Sequence, residues 1–118
     1  MFLHIKDVLT PEEITFFRQA LGPQAPWIEG ARSAGGQAIH QKNNLQLAQG
    51  SELSAQLQTM VKAALHRNAL FFSAALPRRI YNPLFNNYGD GANFYGNHVD
   101  SAVMHSKADN CWVRSDLS

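Results

Sequence analysis

The residues best suited to chemistry are His98 and Asp100, which are separated by Val99. In an extended strand alternate side chains point to the same side, so the imidazole and the carboxylate are predicted to face together. Such a pair can occupy adjacent positions around one metal ion, and a second histidine would complete the ligand set of a non-heme iron(II) oxygenase. A His-x-Asp triplet alone is more typical of a surface histidine beside a turn aspartate, so the surrounding sequence is needed to distinguish the two interpretations.

The context lies on both sides of the triplet. Tyr88 precedes a glycine-containing turn at 89–91, and Tyr95 follows shortly before His98 and Asp100. This order resembles the prolyl-hydroxylase-like branch of the 2-oxoglutarate dioxygenases. The flanking sequence resembles the bacterial PKHD-type hydroxylases in particular. The segments that carry this resemblance run in order along essentially the whole chain, at 42–44, 69–78, 83–86, 95–100 and 112–118.

The resemblance implies a reaction and its cofactors. It implies an iron(II)- and 2-oxoglutarate-dependent dioxygenase that hydroxylates a C–H bond while 2-oxoglutarate is decarboxylated to succinate. The co-substrate is then 2-oxoglutarate, and L-ascorbate keeps the iron reduced. His98 and Asp100 are implied to be the first and second iron ligands. The substrate is expected to be a small molecule or a peptide.

Other residues are assigned by the same resemblance. Tyr88 matches the tyrosine that donates a hydrogen bond to the co-substrate carboxylate, and a phenol suits that role; an aromatic core position is the alternative. Tyr95 is a candidate support for the ligand strand, although packing beneath it is favoured. Asn86 and Asn43 are candidate substrate contacts, but loop and edge asparagines commonly only satisfy backbone groups.

The chain also departs from the family. Members are about twice as long, so the distal histidine and the basic residue that pairs with the far carboxylate of 2-oxoglutarate are expected beyond this N-terminal half. His105 is predicted to be an exposed loop residue, and His66 suits the end of a helix, so neither replaces the missing ligand. Ser101 stands where the family has glycine. We therefore expect little or no hydroxylase activity from the 118 residues alone.

Three alternatives to an enzyme fragment stay open at this point. The first is a non-catalytic remnant or binding half-domain, in which exposed sheet edges pair two copies into a homodimer. The second is a prematurely ended reading frame that has no function of its own. The third is a zinc hydrolase, which would need a third ligand and a general base, and nothing after Asp100 supplies a clear pair.

Composition limits the class of protein. The chain has 118 residues, 45% hydrophobic and 16% charged, which is typical of one globular domain. A net charge of +1 argues against a nucleic-acid or anionic-membrane partner. The single cysteine, Cys111, cannot form an internal disulfide, and there is neither a membrane-spanning apolar run nor a signal-peptide pattern at the start. A cytoplasmic protein is the expectation.

The pattern along the chain changes from helical to extended. A short strand at 2–5 is predicted to precede a helix that Thr10, Pro11 and Glu13 begin with a capping box. A strand at 27–30, a loop at 31–37 and, at 41–47, an exposed strand or an extended segment follow. A second helix is predicted from Ser51, continuing or restarting at 70–72 and ending at 76–77. Extended structure then follows at 79–88 and from 93, and the residues at 111–118 have the pattern of the approach to a strand.

The predicted fold class is therefore α+β. Two N-terminal helices are expected to pack on the first strands of a truncated double-stranded β-helix, which is the jelly-roll-like barrel that the resemblance implies. The predicted division is a helical and strand support region at 1–77 and the start of the barrel, with the His-x-Asp motif, at 78–118. Together they form one incomplete domain.

Overall fold

A computed structural model of the chain describes residues 2–30, 42–89, 94–95, 103–106 and 109–115. The chain divides into two compact units, the first formed by Met1–Glu29 and Leu45–Asn87 and the second by Gly30–Asn44 and Tyr88–Ser118. The described helices are α1 (Pro11–Ala20), α2 (Glu52–Arg67) and α3 (Ala69–Ala75). The described strands are β1 (Trp27–Glu29), β2 (Lys42–Asn43), β3 (Leu45–Leu47), β4 (Asn86–Asn87), β5 (Phe94–Tyr95), β6 (Val103–Ser106) and β7 (Cys111–Arg114).

The helices and strands that the structure describes confirm the predicted α+β fold class. Among the described residues, three helices accompany one three-stranded sheet and two strand pairs, all antiparallel. The truncated barrel and the division at residue 77 stay predictions.

Local capping fixes the start of α1, as predicted. The backbone N–H of Glu13 donates to Thr10 Oγ1 at 3.1 Å, and the Thr10 N–H donates back to Glu13 Oε1 at 2.9 Å. Pro11 occupies the first turn, where its missing N–H costs nothing. The helix ends at Ala20, directly before the glycine and proline at 22–23.

The second helical region consists of two helices rather than one. Ser51 caps α2 by accepting from the Ser54 N–H at 3.2 Å. Asn68 then interrupts the helix with an extended backbone, and its Oδ1 accepts from the Phe71 N–H at 2.8 Å to start α3. Leu76 ends α3 in the left-handed conformation, with φ of 45°, and its side chain is 80% exposed. No helix in the described part of the chain is both long and apolar enough for a bilayer span.

The core of the first unit forms between the helices and the sheet. The sheet has the order β1-β3-β4, so β3 is its central strand. Leu47 of β3 is 1% exposed and clusters with Phe17 of α1 and Leu57 of α2, which is 0% exposed. The ring of Phe85 lies 6.1 Å from that of Phe17. Burial of these side chains holds both helices on one face of the sheet.

Three predictions about strands were wrong in part. Residues 2–5 form no strand, since none of the described strands pairs with this segment, and Phe2 is 97% exposed. The segment at 41–47 is extended where it is described, but Gln46 and Leu47 are buried rather than exposed. Leu47 is buried because the side chains of α1 and α2 pack against it. Within 79–88 only β4 pairs with another strand, and Pro83, which has no N–H, lies before it in irregular backbone.

The second unit contains two strand pairs. β2 pairs with β5, and β6 pairs with β7. The extended structure predicted from 93 is confirmed, and the strand approached at 111–118 already begins at Cys111. Gly30, also in this unit, donates its N–H to the Asn44 carbonyl at 2.8 Å. A Cβ on Gly30 would lie 1.8 Å from Asn44 Oδ1, so this close approach requires glycine. The predicted loop at 31–37 lies outside the described residues.

One ion pair joins the beginning of α1 to the end of α2. Arg67 forms a salt bridge with Glu13 and also donates from Nη2 to the Val8 carbonyl at 3.1 Å. The hydrogen bond from Arg67, followed by that from the Thr10 N–H, lowers the pKa of Glu13 from 4.5 to about 2. The same contact raises the pKa of Arg67.

Stability should therefore depend on pH through Glu13. Because its pKa is lowered on folding, its contribution is complete above pH 4.5 and is lost as the pH falls toward about 2. We expect Glu13→Gln to lower the free energy of unfolding at pH 7 and the difference from the parent chain to shrink between pH 4.5 and about 2. Urea unfolding at several pH values measures this difference.

The matched control is Glu12→Gln, which removes a carboxylate from the same helical turn but leaves the contact with Arg67. Glu12→Gln should change the pH dependence much less. If both variants lost the same pH-dependent stability, the helix terminus rather than Arg67 would be responsible.

Candidate functional site

The predicted iron ligands lie between two described strands. β5 ends at Tyr95 and β6 begins at Val103, and His98 and Asp100 belong to the segment that joins them. This segment, 96–102, lies outside the described residues. The common orientation of the two side chains therefore stays a prediction, as does their role.

Tyr95 leads directly into that segment. Its backbone pairs with Lys42 of β2, and Phe94 pairs with Asn43, so a strand pair fixes the chain immediately before the predicted ligands. The side chains at 94 and 95, and that of Asn43, are outside what the structure describes. Whether Tyr95 supports the ligand strand or packs beneath it, and whether Asn43 contacts substrate, stay predictions.

Tyr88 directly follows β4 and is the first residue of the segment Tyr88–Ser118, which belongs to the second unit. Its side chain is 41% exposed, so it is not a buried core aromatic. An accessible phenol can donate a hydrogen bond to a carboxylate, which is the role that the family resemblance implies for it. That role itself is a prediction.

Asn86 lies on β4, where its backbone pairs with Gln46 of the central strand β3. Asn86 is exposed and Gln46 is 1% exposed. Because alternate residues of a strand face opposite sides, Gln46 and Asn86, together with Ile28 of β1, lie on the sheet face opposite Leu47. The helix-facing core therefore does not include this polar pair.

Gln46 is a residue that sequence reasoning did not single out. Its Oε1 is one of the buried side-chain atoms that have no hydrogen-bond partner in the described structure. The available signal was a glutamine between Leu45 and Leu47, at the centre of an alternating strand. Its burial could not be predicted from that pattern, because burial depends on residues that are distant in the sequence.

His105 was predicted to be an exposed loop residue, and only the exposure is correct. It lies on β6, where its ring packs edge-on against Trp112 of β7 with the ring centroids 5.5 Å apart. The backbone is a strand because β6 and β7 pair in register, with His105 opposite Trp112. Within the described ranges no group of three or more histidine, cysteine, aspartate or glutamate side chains could hold a metal ion.

A cleft of about 580 Å³ lies in the first unit beside the end of α1. It is lined by Leu21, Gly22, Pro23, Ala25, Trp27, Leu45 and Asn87. None of these lining side chains titrates near neutral pH, so the cleft offers no acid, base or metal ligand. It is therefore not a candidate reaction centre.

The curated proteins to which the chain is similar share the name PKHD-type hydroxylase. No protein-family model matches the chain. A PKHD-type hydroxylase of Variovorax paradoxus (strain S110) is 49% identical over 118 residues, and one of Aliarcobacter butzleri (strain RM4018) is 46% identical over the same length. The PKHD-type hydroxylase YbiX of Escherichia coli (strain 55989 / EAEC) is 47% identical. Each match covers 100% of this chain and 51% of the relative, so the chain spans about half the length of these curated relatives.

Proposed function

We propose that this chain, which is homologous along its full length to the PKHD-type hydroxylases, is part of an iron(II)- and 2-oxoglutarate-dependent hydroxylase. The observation that carries the proposal is 42–49% identity over all 118 residues to relatives of that name. A His-x-Asp triplet within the matched region supports it. Since the relatives are about twice as long, the activity is proposed for the whole protein, with a double-stranded β-helix as its fold.

The donor set in this chain fits an iron(II) ion. His98 offers an imidazole nitrogen and Asp100 a carboxylate oxygen, which are the ligand types of the two-histidine, one-carboxylate site. The third ligand of such a site would be a second histidine outside these 118 residues. When bound, the iron would supply the oxidation that couples decarboxylation of 2-oxoglutarate to hydroxylation of a C–H bond.

Tyr88 would bind the co-substrate rather than the metal. Its exposed phenol can donate a hydrogen bond to a carboxylate of 2-oxoglutarate and orient the molecule. A basic residue outside this chain would pair with the other carboxylate, because a charged donor gives the stronger hydrogen bond. L-Ascorbate would keep the metal in its reduced state.

The experiment measures succinate formed from 2-oxoglutarate by two proteins, the 118-residue chain and the full-length protein of which it is part. Each is assayed with Fe(II) and ascorbate, with Zn²⁺, and without metal. We expect Fe(II)-dependent succinate from the full-length protein and little or none from the 118-residue chain.

Each assay result tests a different statement about the protein. A folded full-length protein that forms no succinate with Fe(II) would contradict the hydroxylase proposal. Succinate formed by the 118-residue chain would contradict only the expectation that this part is inactive alone. Hydrolytic activity that requires Zn²⁺ would favour a zinc hydrolase.

A further inference from the structure

The arm, residues 2–6, has the composition of a strand, but none of the described strands pairs with it. Phe2, Leu3 and Ile5 are apolar, yet Phe2 is 97% exposed and Leu3 is 47% exposed. In the described part of the chain no backbone–backbone hydrogen bond involves the arm. Its N–H and C=O groups and its apolar side chains are therefore both available to a partner.

The residues that follow hold one end of the arm in place. The Val8 carbonyl accepts from Arg67 Nη2 at 3.1 Å, and Leu9 packs against the core of the first unit. Asp7 has a left-handed backbone, with φ of 55°, and turns the chain between this anchor and the arm. Because a strand of five residues spans about 16 Å, the partner has to lie within that distance of the anchor.

A strand elsewhere in the same protein is the partner that fits the arm best. The outer strands of the sheet in this unit are β1 and β4, and the arm pairs with neither. A second copy fits poorly, because a stable interface takes about 20–30 residues a side and the arm offers five. A covalently joined partner needs no such area. Curated relatives are about twice as long as this chain, so half of the full-length protein is available to supply the strand.

We propose that the arm adds as a strand to an edge formed by the part of the full-length protein outside these 118 residues. The main-chain groups of the arm supply the hydrogen bonds of this added strand. Since alternate side chains of a strand face opposite sides, Leu3 and Ile5 pack together on one side and Phe2 on the other. The proposal concerns the assembly of the fold and requires neither iron nor 2-oxoglutarate.

The first test measures amide hydrogen exchange of the full-length protein by NMR. A partner on one edge bonds alternate N–H groups of a strand, so either the odd-numbered or the even-numbered amides of the arm should exchange at least about 100-fold more slowly than unprotected amides. The exposed Gly50, whose N–H donates to no described backbone carbonyl, is the control and should exchange freely. Free exchange along the whole arm would overturn the proposal. Protection that is lost on dilution would also overturn it, because the partner would then be a second copy.

The second test compares two exposed apolar residues by thermal unfolding of the full-length protein. Phe2 is 97% exposed and Leu76 is 80% exposed in the described structure. Phe2→Asn should lower the Tm by at least about 3 °C, because the added strand buries the ring. Leu76→Asn is the matched control and should not lower the Tm. An unchanged Tm for Phe2→Asn, or an equal fall for both variants, would show that burial of the arm does not stabilise the protein and would contradict the proposal.

Discussion

Replacing His98 with alanine is expected to weaken Fe(II) binding to the full-length protein by at least about 100-fold, since even an outer partner of a metal ligand accounts for 10–100-fold. Asp100→Asn should have a similar effect, because the amide carries no charge to balance the cation. Equilibrium dialysis under nitrogen, followed by iron determination, measures the affinity. Succinate formation should fall in both variants in parallel.

His105→Ala is the matched control for this loss. It removes an imidazole from an exposed position on β6, where the ring packs against Trp112. We expect the iron affinity of this variant to stay within about twofold of the parent protein, because surface substitutions have small effects. If His105→Ala weakened iron binding as strongly as His98→Ala, the assignment of His98 as a ligand would be wrong.

The second large effect is expected in the core of the first unit. Leu57 is 0% exposed and clusters with Phe17 and Leu47, so Leu57→Ala leaves a cavity among the two helices and the sheet. Such substitutions lower the free energy of unfolding by about 2–5 kcal/mol, which is a large share of the total stability of a small domain. Guanidinium unfolding followed by helical circular dichroism measures the loss.

Leu70→Ala makes the same chemical change at a position where the side chain is about half exposed. Leu70 lies on α3 and is 49% exposed, so the cost should be well below that of Leu57→Ala. Equal destabilisation by the two substitutions would mean that Leu57 does not belong to the cooperative core of this unit.

Features that depend on neighbouring residues could be predicted from the sequence. The capping box of Thr10 and Glu13 and the cap at Ser51 involve partners three residues apart, so the helices begin where expected. The approach to a strand was likewise predicted at 111–118, where β7 is observed at Cys111–Arg114. Each of these elements is determined largely by local hydrogen bonds and propensities.

Features that depend on distant partners could not be predicted. The apolar segment at 2–5 has the pattern of a strand but pairs with none of the described strands, whereas Gln46 was predicted to be in an exposed strand or an extended segment and is buried. Pairing of Gln46 with Asn86 joins residues far apart in the chain, and no local pattern reports it. For the site, the chemistry predicted from the triplet and its context stays a prediction, while the buried glutamine became evident only from the packing.

The end of α3 also affects how this protein can be handled in the laboratory. Leu76 holds a left-handed backbone, which costs a residue with a Cβ about 1 kcal/mol, and it also presents an apolar side chain that is 80% exposed. Asparagine tolerates that backbone better and is hydrophilic. Leu76→Asn should therefore raise the free energy of unfolding of the purified protein and reduce its self-association at high concentration.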